Sequence, residues 1–146
     1  MRDAVGGTFM IKLLLIFLAV YTIFIAVALN YAKAFRVKNK ILNIIEQNEG
    51  INSYNDVSQG TAIGQINKYM NDVHYRINTG SIEKKCIGYE YINTDRGYCI
   101  TKIENIDKNA EYYKVTTFVT IDFPVINLSF TIPIQGETRK IERINT

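Results

Sequence analysis

The longest uncharged stretch of the chain covers residues 13–32, which are 20 residues without Asp, Glu, Lys or Arg. It is apolar on every side of a helix, whereas a helix on the surface of a soluble domain has one apolar stripe. A bilayer core about 30 Å thick takes roughly 20 residues at a rise of about 1.5 Å each. The pattern therefore predicts a transmembrane helix, residues 8–32, after a short polar leader, residues 1–7.

A cleaved secretory signal is the alternative for this segment. Ala26, Val27 and Ala28 have the small-x-small form of a cleavage site, and Arg2 and Lys12 make the leader basic. The apolar region of a signal is usually only about 7–15 residues long, and here the uncharged stretch runs past that site without a polar segment. We therefore favour an uncleaved membrane helix.

The helical pattern continues beyond the apolar block into an amphipathic stem, residues 33–49. No Pro or Gly interrupts it before Gly50, which is suited to the C′ position. Its apolar positions recur at helical spacing: Ala34, Val37, Ile41, Ile44 and Ile45. The membrane helix and stem are predicted to form one rod, residues 8–48. Its apolar stripe must lie against the protein's own outer domain or a neighbouring subunit, and both remain open.

Residues 50–146 change from helical spacing to strand-like alternation. A second helix is predicted at residues 59–77, with Ser58 as N-cap. The strongest alternation covers residues 126–135, where Pro133 indicates that the strand lies at an edge of the sheet or ends there. The predicted strands are residues 85–92, 98–103, 112–123 and 126–135, with a short final run at 138–144. Turns are expected at residues 93–97, 106–111 and Pro124. The fold class is α+β, with an antiparallel sheet of about four strands packed on the helices.

Charge adds little to this prediction. The chain has 17 Lys+Arg and 14 Asp+Glu, mixed in sign along its length, and no run of five or six basic residues. Binding of nucleic acid through counterion release is therefore not expected.

Two cysteines are the main candidates for covalent chemistry. Cys86 and Cys99 flank the first predicted hairpin, and we predict that they form a disulfide in an outward-facing domain. Direct cross-strand pairing would centre the turn between Ile92 and Asn93, about two residues before the centre of the predicted loop at residues 93–97. An offset turn, a bulge or two free thiols remain alternatives.

The sequence gives little support for a catalytic site or a metal site. His74 could in principle activate a cysteine, but we expect it on the polar flank of the second helix. One His and two Cys do not fill a tetrahedral zinc shell, and no phosphate-binding glycine loop occurs. We expect no enzyme activity, metal or cofactor. The ten tyrosines fit either a protein-contact surface or simple strand propensity, and we favour the latter.

The layout resembles that of type IV pilin-like proteins, and within them the TadE-like minor pilins of tight-adherence pili. The resemblance rests on Gly7-Thr8-Phe9, the hydrophobic block, the stem at residues 35–41 and the closing strands. It implies a non-catalytic subunit or assembly accessory of a bacterial surface filament. Its expected partners are membrane lipid, other pilin-like single-span subunits and assembly-platform proteins, with processing by a prepilin peptidase between Gly7 and Thr8.

Lys12 departs from the family pattern. The fifth residue after the cleaved bond is usually Glu in type IV pilins, where it offsets the N-terminal amine of a neighbouring subunit. A lysine there would repel that amine in a medium of low dielectric constant. We therefore expect either no processing at Gly7, or an accessory at the base or tip of a filament.

The predicted location is the cell membrane, with one span and an extracytoplasmic C-terminal domain. The positive-inside rule opposes this orientation, since Lys33, Arg36, Lys38 and Lys40 follow the span. The cysteine pair, the polar sheet domain and the pilin-like layout favour it. The alternative function is a membrane-anchored binding or sensory domain, which should fold alone after truncation at about Asn48.

Overall fold

The computed structural model describes residues 2–75, 77, 82–105, 110–123 and 128–142. The fold is α+β, as predicted: a long N-terminal helix, a short second helix and a small antiparallel sheet. The helices are α1 (Arg2–Gln47), α2 (Ala62–Asp72) and α3 (Ile82–Lys85), and the strands are β1 (Tyr91–Asn93), β2 (Tyr98–Asn105), β3 (Ala110–Phe123), β4 (Leu128–Glu137) and β5 (Ile141–Glu142).

The helix α1 is continuous over 46 residues and joins the leader, the apolar block and the stem. It ends where the Gly50 amide donates to the Ile45 carbonyl at 2.9 Å, the six-to-one hydrogen bond of a Schellman motif. In this motif Glu49, at φ 54°, takes the left-handed C′ position that we had assigned to Gly50. Gly50 follows with φ 114°, so two successive residues turn the chain away from the helix axis.

The sheet has the order β1-β2-β3-β4, with antiparallel neighbours, and β5 pairs with the start of β3. The long pairing of β3 with β4 places Thr117 opposite Ile134 and Phe118 opposite Pro133. Because β4 lies at the edge, Pro133 costs the sheet no ladder hydrogen bond on its outer side. The prediction of an edge strand from Pro133 is confirmed.

The two faces of the sheet are covered differently. One face carries Tyr113, Val115, Val119 and Ile121 of β3, and it packs on α1 and α2 to form the main core. The opposite face carries Phe118, which packs with α3 and the two cysteines in a smaller cluster. Side chains alternate between faces along a strand, so β3 contributes to both clusters.

The stem lies lengthwise on the sheet. The Thr117 hydroxyl lies 3.4 Å from the Ala34 carbonyl oxygen, and further along the Arg139 amide donates to Glu46 Oε1 at 2.8 Å. Between these points a Cβ on Gly136 would come within 2.9 Å of side-chain carbons of Lys38 and Leu42. The helix therefore runs parallel to β4 and antiparallel to β3.

Several predicted boundaries are wrong. The second helix is shorter than residues 59–77, and its N-cap is Thr61, whose hydroxyl accepts from the Gly64 amide at 3.2 Å, instead of Ser58. Most of the predicted strand 85–92 is replaced by the end of α3 and a turn, and only β1 remains. Within the described part of the predicted final strand, residues 138–142, only β5 forms, and residues 143–144 lie outside the described residues. Residues 106–109 and Pro124, where turns were predicted, lie outside the described residues.

Candidate functional site

The first candidate site is the part of α1 that projects from the domain. We call residues 7–32 the apolar half-helix. All of its side chains are exposed except Val27, which is partly covered, and Phe24 is 68% exposed. This is the one helix of the described chain that is long and apolar enough to cross a membrane. Burying so much apolar surface requires a lipid phase or another apolar helix.

Polar groups on the apolar half-helix are few. Lys12 is exposed near its beginning, and the Thr22 hydroxyl donates to the Ala19 carbonyl at 2.8 Å, which satisfies it within the helix. The predicted processing site, Gly7 and Thr8, lies inside α1 and is exposed. A peptidase acting between Gly7 and Thr8 would therefore meet a helical segment.

The five stem residues named from the sequence all lie inside the domain. Their exposed fractions are at most 3%. They contact the sheet and α2 in the main core: Ala34, Val37, Ile41, Ile44 and Ile45. The stem therefore packs against the protein's own domain, which is one of the two partners that the sequence left open for it. These side chains present no surface to a second subunit.

The basic residues of the stem are of two kinds. Lys33, Arg36 and Lys40 are exposed just beyond the apolar half-helix. Lys38 is only 8% exposed, because its methylene groups lie on the sheet at Gly136 and its ammonium lies 4.3 Å from the centre of the Phe35 ring. Lys38 is therefore engaged by the domain itself, and three of the four basic residues remain at the surface.

The cysteines form the predicted disulfide, with their Cα atoms 6.2 Å apart. Cys99 lies in β2 opposite Ile92, whereas Cys86 follows α3 and is not part of the sheet. The bond joins the short helix to one face of the sheet, which removes the difficulty of register. Both sulfur atoms are buried beside Phe118 and unavailable to His74 as a nucleophile.

The second candidate site is a cavity of about 520 Å³ beside the end of α2 and the turn between β1 and β2. It contains an imidazole, a carboxylate and a guanidinium. Its lining residues are Met70, Asn71, His74, Tyr75, Ile77, Asp95 and Arg96. Arg96 is positioned by a hydrogen bond from its Nη1 to the Asn67 carbonyl, and His74 adopts a left-handed φ of 50° at the end of α2. No spacing motif in the sequence connects these residues, because they come from two distant segments.

Buried tyrosines hold the domain together. The Tyr75 hydroxyl donates to the Phe118 carbonyl, and the Tyr98 hydroxyl donates to Asn67 Oδ1 at 3.3 Å. Burial raises the pKa of Tyr75 and of Tyr98 above the ordinary value. Both side chains belong to the core, so these two tyrosines do not form a contact surface.

The Tyr113 hydroxyl joins an ion pair of the sheet to the loop after α1. Lys102 Nζ lies 2.7 Å from Glu111 Oε2, and Tyr113 donates its hydroxyl to the other oxygen of Glu111 at 3.1 Å. The same hydroxyl accepts from the Ile51 amide at 3.0 Å. Burial alone would lower the pKa of Lys102, but the hydrogen bonds to Glu111 and Glu104 outweigh it and raise that pKa. These contacts serve the stability of the domain.

Among the described residues, no three His, Cys, Asp or Glu side chains lie together as a metal site. Comparisons with protein-family models, curated proteins and solved structures find no match to this chain. The features of the described chain that bear on function are therefore the exposed apolar half-helix and the domain attached to it.

Proposed function

We propose that this protein is a membrane-anchored, non-catalytic accessory or minor subunit of a bacterial surface filament or secretion assembly, similar to the TadE-like pilins. One observation carries the proposal: the first half of α1 is bare and apolar, and the second half forms the core of a small α+β domain. A single rigid helix thus connects a membrane anchor to a folded head. Because the apolar face of the stem is buried in the domain, contacts with other single-span subunits must be made by the apolar half-helix.

Lys12 supports an accessory role over that of the repeated shaft subunit. It is exposed on α1 and five residues beyond Gly7. In a close-packed bundle of apolar helices, an unpaired ammonium is costly, and it repels the N-terminal amine that processing would create. A subunit at the base or tip of a filament has fewer neighbours, so it tolerates this charge better.

The disulfide supports an extracytoplasmic domain, because structural disulfides form and persist in oxidising compartments. The exposed basic residues of the stem, Lys33, Arg36 and Lys40, can lie against anionic headgroups on the outer side.

Photo-crosslinking in the native cell tests the proposal. A crosslinking amino acid at Leu15, on the bare half of α1, should join this protein to other single-span membrane proteins. The same group at Val57, exposed on the domain in the loop before α2, should not. Deletion of the protein should abolish surface filaments, and purified filaments should contain far less of it than of the shaft subunit. Filaments built mainly of this chain, with Thr8 as first residue, would refute the accessory role.

The cavity at the end of α2 favours a second candidate function, an anchored binding or sensory domain. Its charged and aromatic lining suits a small polar ligand with an anionic group facing Arg96. Thermal unfolding of the detergent-solubilised protein with a panel of small carboxylates and phosphates tests it. A ligand that raises the midpoint of the parent protein and of Arg139→Ala, but not of Arg96→Ala, would favour this function.

A further inference from the structure

The beginning of β4 has two large apolar side chains that are exposed on the face of the sheet that α1 occupies. Ile132 pairs with Val119 and Phe130 pairs with Ile121, and both of these β3 residues are buried in the main core. Ile134, on the same face of β4, is also buried. Yet Ile132 is 41% exposed and Phe130 is 49% exposed. This part of the edge strand has core-like residues without full cover from the helix.

These residues lie level with the apolar half-helix. Ala34 lies beside Thr117, which pairs with Ile134. Phe130 precedes Ile134 by four residues, about 13 Å along the strand, and this distance corresponds to about nine residues of α1. Phe130 is therefore level with about Ile25, and Val27 indeed packs against the core cluster that contains Ile121.

The exposed part of α1 between Lys12 and the level of Phe130 is shorter than the hydrocarbon core of a bilayer is thick. Residues 13–24, between Lys12 and the level of Phe130, are 12 residues and span about 18 Å. The hydrocarbon core of a bilayer is about 30 Å thick. Either Lys12 enters the hydrocarbon, or the end of the sheet reaches the membrane. The second arrangement keeps Lys12 at the opposite surface and places Phe130 and Ile132 at the boundary of the lipid.

Neighbouring residues suit a membrane interface. Tyr31 and Phe35 precede Lys38 and Leu42 at helical spacing, so they lie on the side of α1 that faces β4, and both are exposed. Aromatic side chains are enriched at the level of the headgroups. Lys33 is exposed at the same level of α1, with its ammonium 5.9 Å from the centre of the Tyr75 ring, and Lys85 donates to the Thr131 carbonyl beside Ile132. The apolar end is thus accompanied by cations that can meet anionic headgroups.

We propose that the beginning of β4, with Phe130 and Ile132, enters the outer boundary of the bilayer and forms a second membrane contact beside α1. This inference rests on the membrane anchoring in the proposed function. The occupant of the patch is lipid with anionic headgroups. Two points of attachment fix the rotation of the head about the helix axis, which a single helix leaves open.

Tryptophan fluorescence tests this contact, because the chain has no tryptophan of its own. Full-length protein carrying Ile132→Trp is reconstituted into vesicles of equal parts phosphatidylcholine and phosphatidylglycerol, with or without bromine on the acyl chains. Interfacial apolar groups are buried about 5–10 Å below the surface, so we expect bromolipid to quench Ile132→Trp at least about twofold more than a control. The control is Val57→Trp, an exposed aliphatic position in the loop before α2.

A third variant separates this proposal from the proposed function. Leu15→Trp, on the bare half of α1, should be strongly quenched if the helix spans the bilayer. Quenching of Leu15→Trp without quenching of Ile132→Trp would overturn the second contact and leave the anchor intact. Absence of quenching at both would overturn both proposals. Phe130→Trp repeats the measurement if Ile132→Trp unfolds below the temperature of the parent protein.

Occupation of the patch by a second copy of the chain would have a different signature. Ile132→Trp would then be shielded from iodide only at high ratios of protein to lipid, and bromolipid would not quench it. That result would refute a lipid contact. Equal quenching over a wide range of dilution in lipid supports it.

Discussion

Gly64 lies in the first turn of α2, where the preceding loop folds back on the helix. A Cβ at this position would lie 1.8 Å from the Ser58 carbonyl oxygen, which is backbone and cannot rotate away. Alanine normally stabilises a helix interior by about 1 kcal/mol relative to glycine. Here we expect Gly64→Ala to destabilise the domain instead, by about 1–3 kcal/mol, as in other overpacked sites.

Gly60 provides the matched control for this change. A Cβ there meets no heavy atom within 4 Å, so Gly60→Ala should leave stability within about 0.5 kcal/mol of the parent protein. Urea unfolding of both variants makes the comparison. Equal midpoints for the two would contradict the close approach of the loop to α2.

Tyr75 is expected to make the free energy of unfolding decrease at alkaline pH. Its ring is 6% exposed, and burial raises the pKa of Tyr75 above its ordinary value of 10.0. Because its pKa is raised, the folded protein binds the Tyr75 proton more tightly than the unfolded chain does. The contribution of Tyr75 to the free energy of unfolding is therefore complete below about pH 10 and is lost as the pH rises through the folded pKa. The free energy of unfolding should fall above about pH 10, by up to about 1.4 kcal/mol per pH unit from this residue.

The variant Tyr75→Phe isolates this contribution. At neutral pH it should cost about 1 kcal/mol, since the hydrogen bond to the Phe118 carbonyl is lost. Its stability should then fall less steeply with alkaline pH than that of the parent protein. Urea midpoints measured from neutral pH to about pH 11 test the slope. Parallel curves for the two proteins would show that Tyr75 is not buried as described.

At the scale of the element, α1 has two halves with opposite roles. Ile41 is fully buried against the sheet, whereas Leu18 is 48% exposed on the apolar half-helix. Removing a buried side chain of this size costs about 2–5 kcal/mol. We expect Ile41→Ala to lower the stability of the detergent-solubilised domain by that amount and Leu18→Ala to leave it unchanged. A loss of similar size for both would mean that the bare half also contacts the domain.

Elements with strong local periodicity were predictable from the sequence. The uncharged block and the apolar stem positions define α1, and alternation along residues 126–135 predicts most of β4. The strand predicted at residues 85–92 fails for a tertiary reason: the disulfide holds Cys86 over one face of the sheet, and Gly88 turns the chain at φ 87°. Local strand propensity contains neither constraint.

The candidate site was less predictable than the fold. Spacing identified the five stem residues but not which surface covers them, because that depends on the register between α1 and the sheet. Alternation along residues 126–135 likewise places Ile132 on the same side of the strand as Ile134, which is buried. Its exposure follows from how far the helix covers the edge strand, which no pattern within β4 encodes.

At the scale of the whole molecule, the boundary between anchor and domain falls inside α1 and not at its end. The sequence suggested that an outer domain could fold alone after truncation at about Asn48. The structure argues against this, because a fragment of residues 49–146 lacks the stem residues that belong to the main core. Burial of each large aliphatic side chain contributes about 1.5–3 kcal/mol. Loss of the four such side chains at Val37, Ile41, Ile44 and Ile45 therefore approaches the whole stability of a typical domain, about 5–15 kcal/mol.

A pair of truncations tests where the domain begins. The fragment of residues 27–146 keeps the stem and removes most of the apolar half-helix, so we expect it to fold and to unfold cooperatively in urea. The fragment of residues 49–146 should show no cooperative transition and no near-ultraviolet circular dichroism, because one face of the sheet has lost its cover. If the shorter fragment unfolded cooperatively, α2 and the sheet would possess a sufficient core of their own. The stem would then be free to leave the sheet and pack against a second subunit.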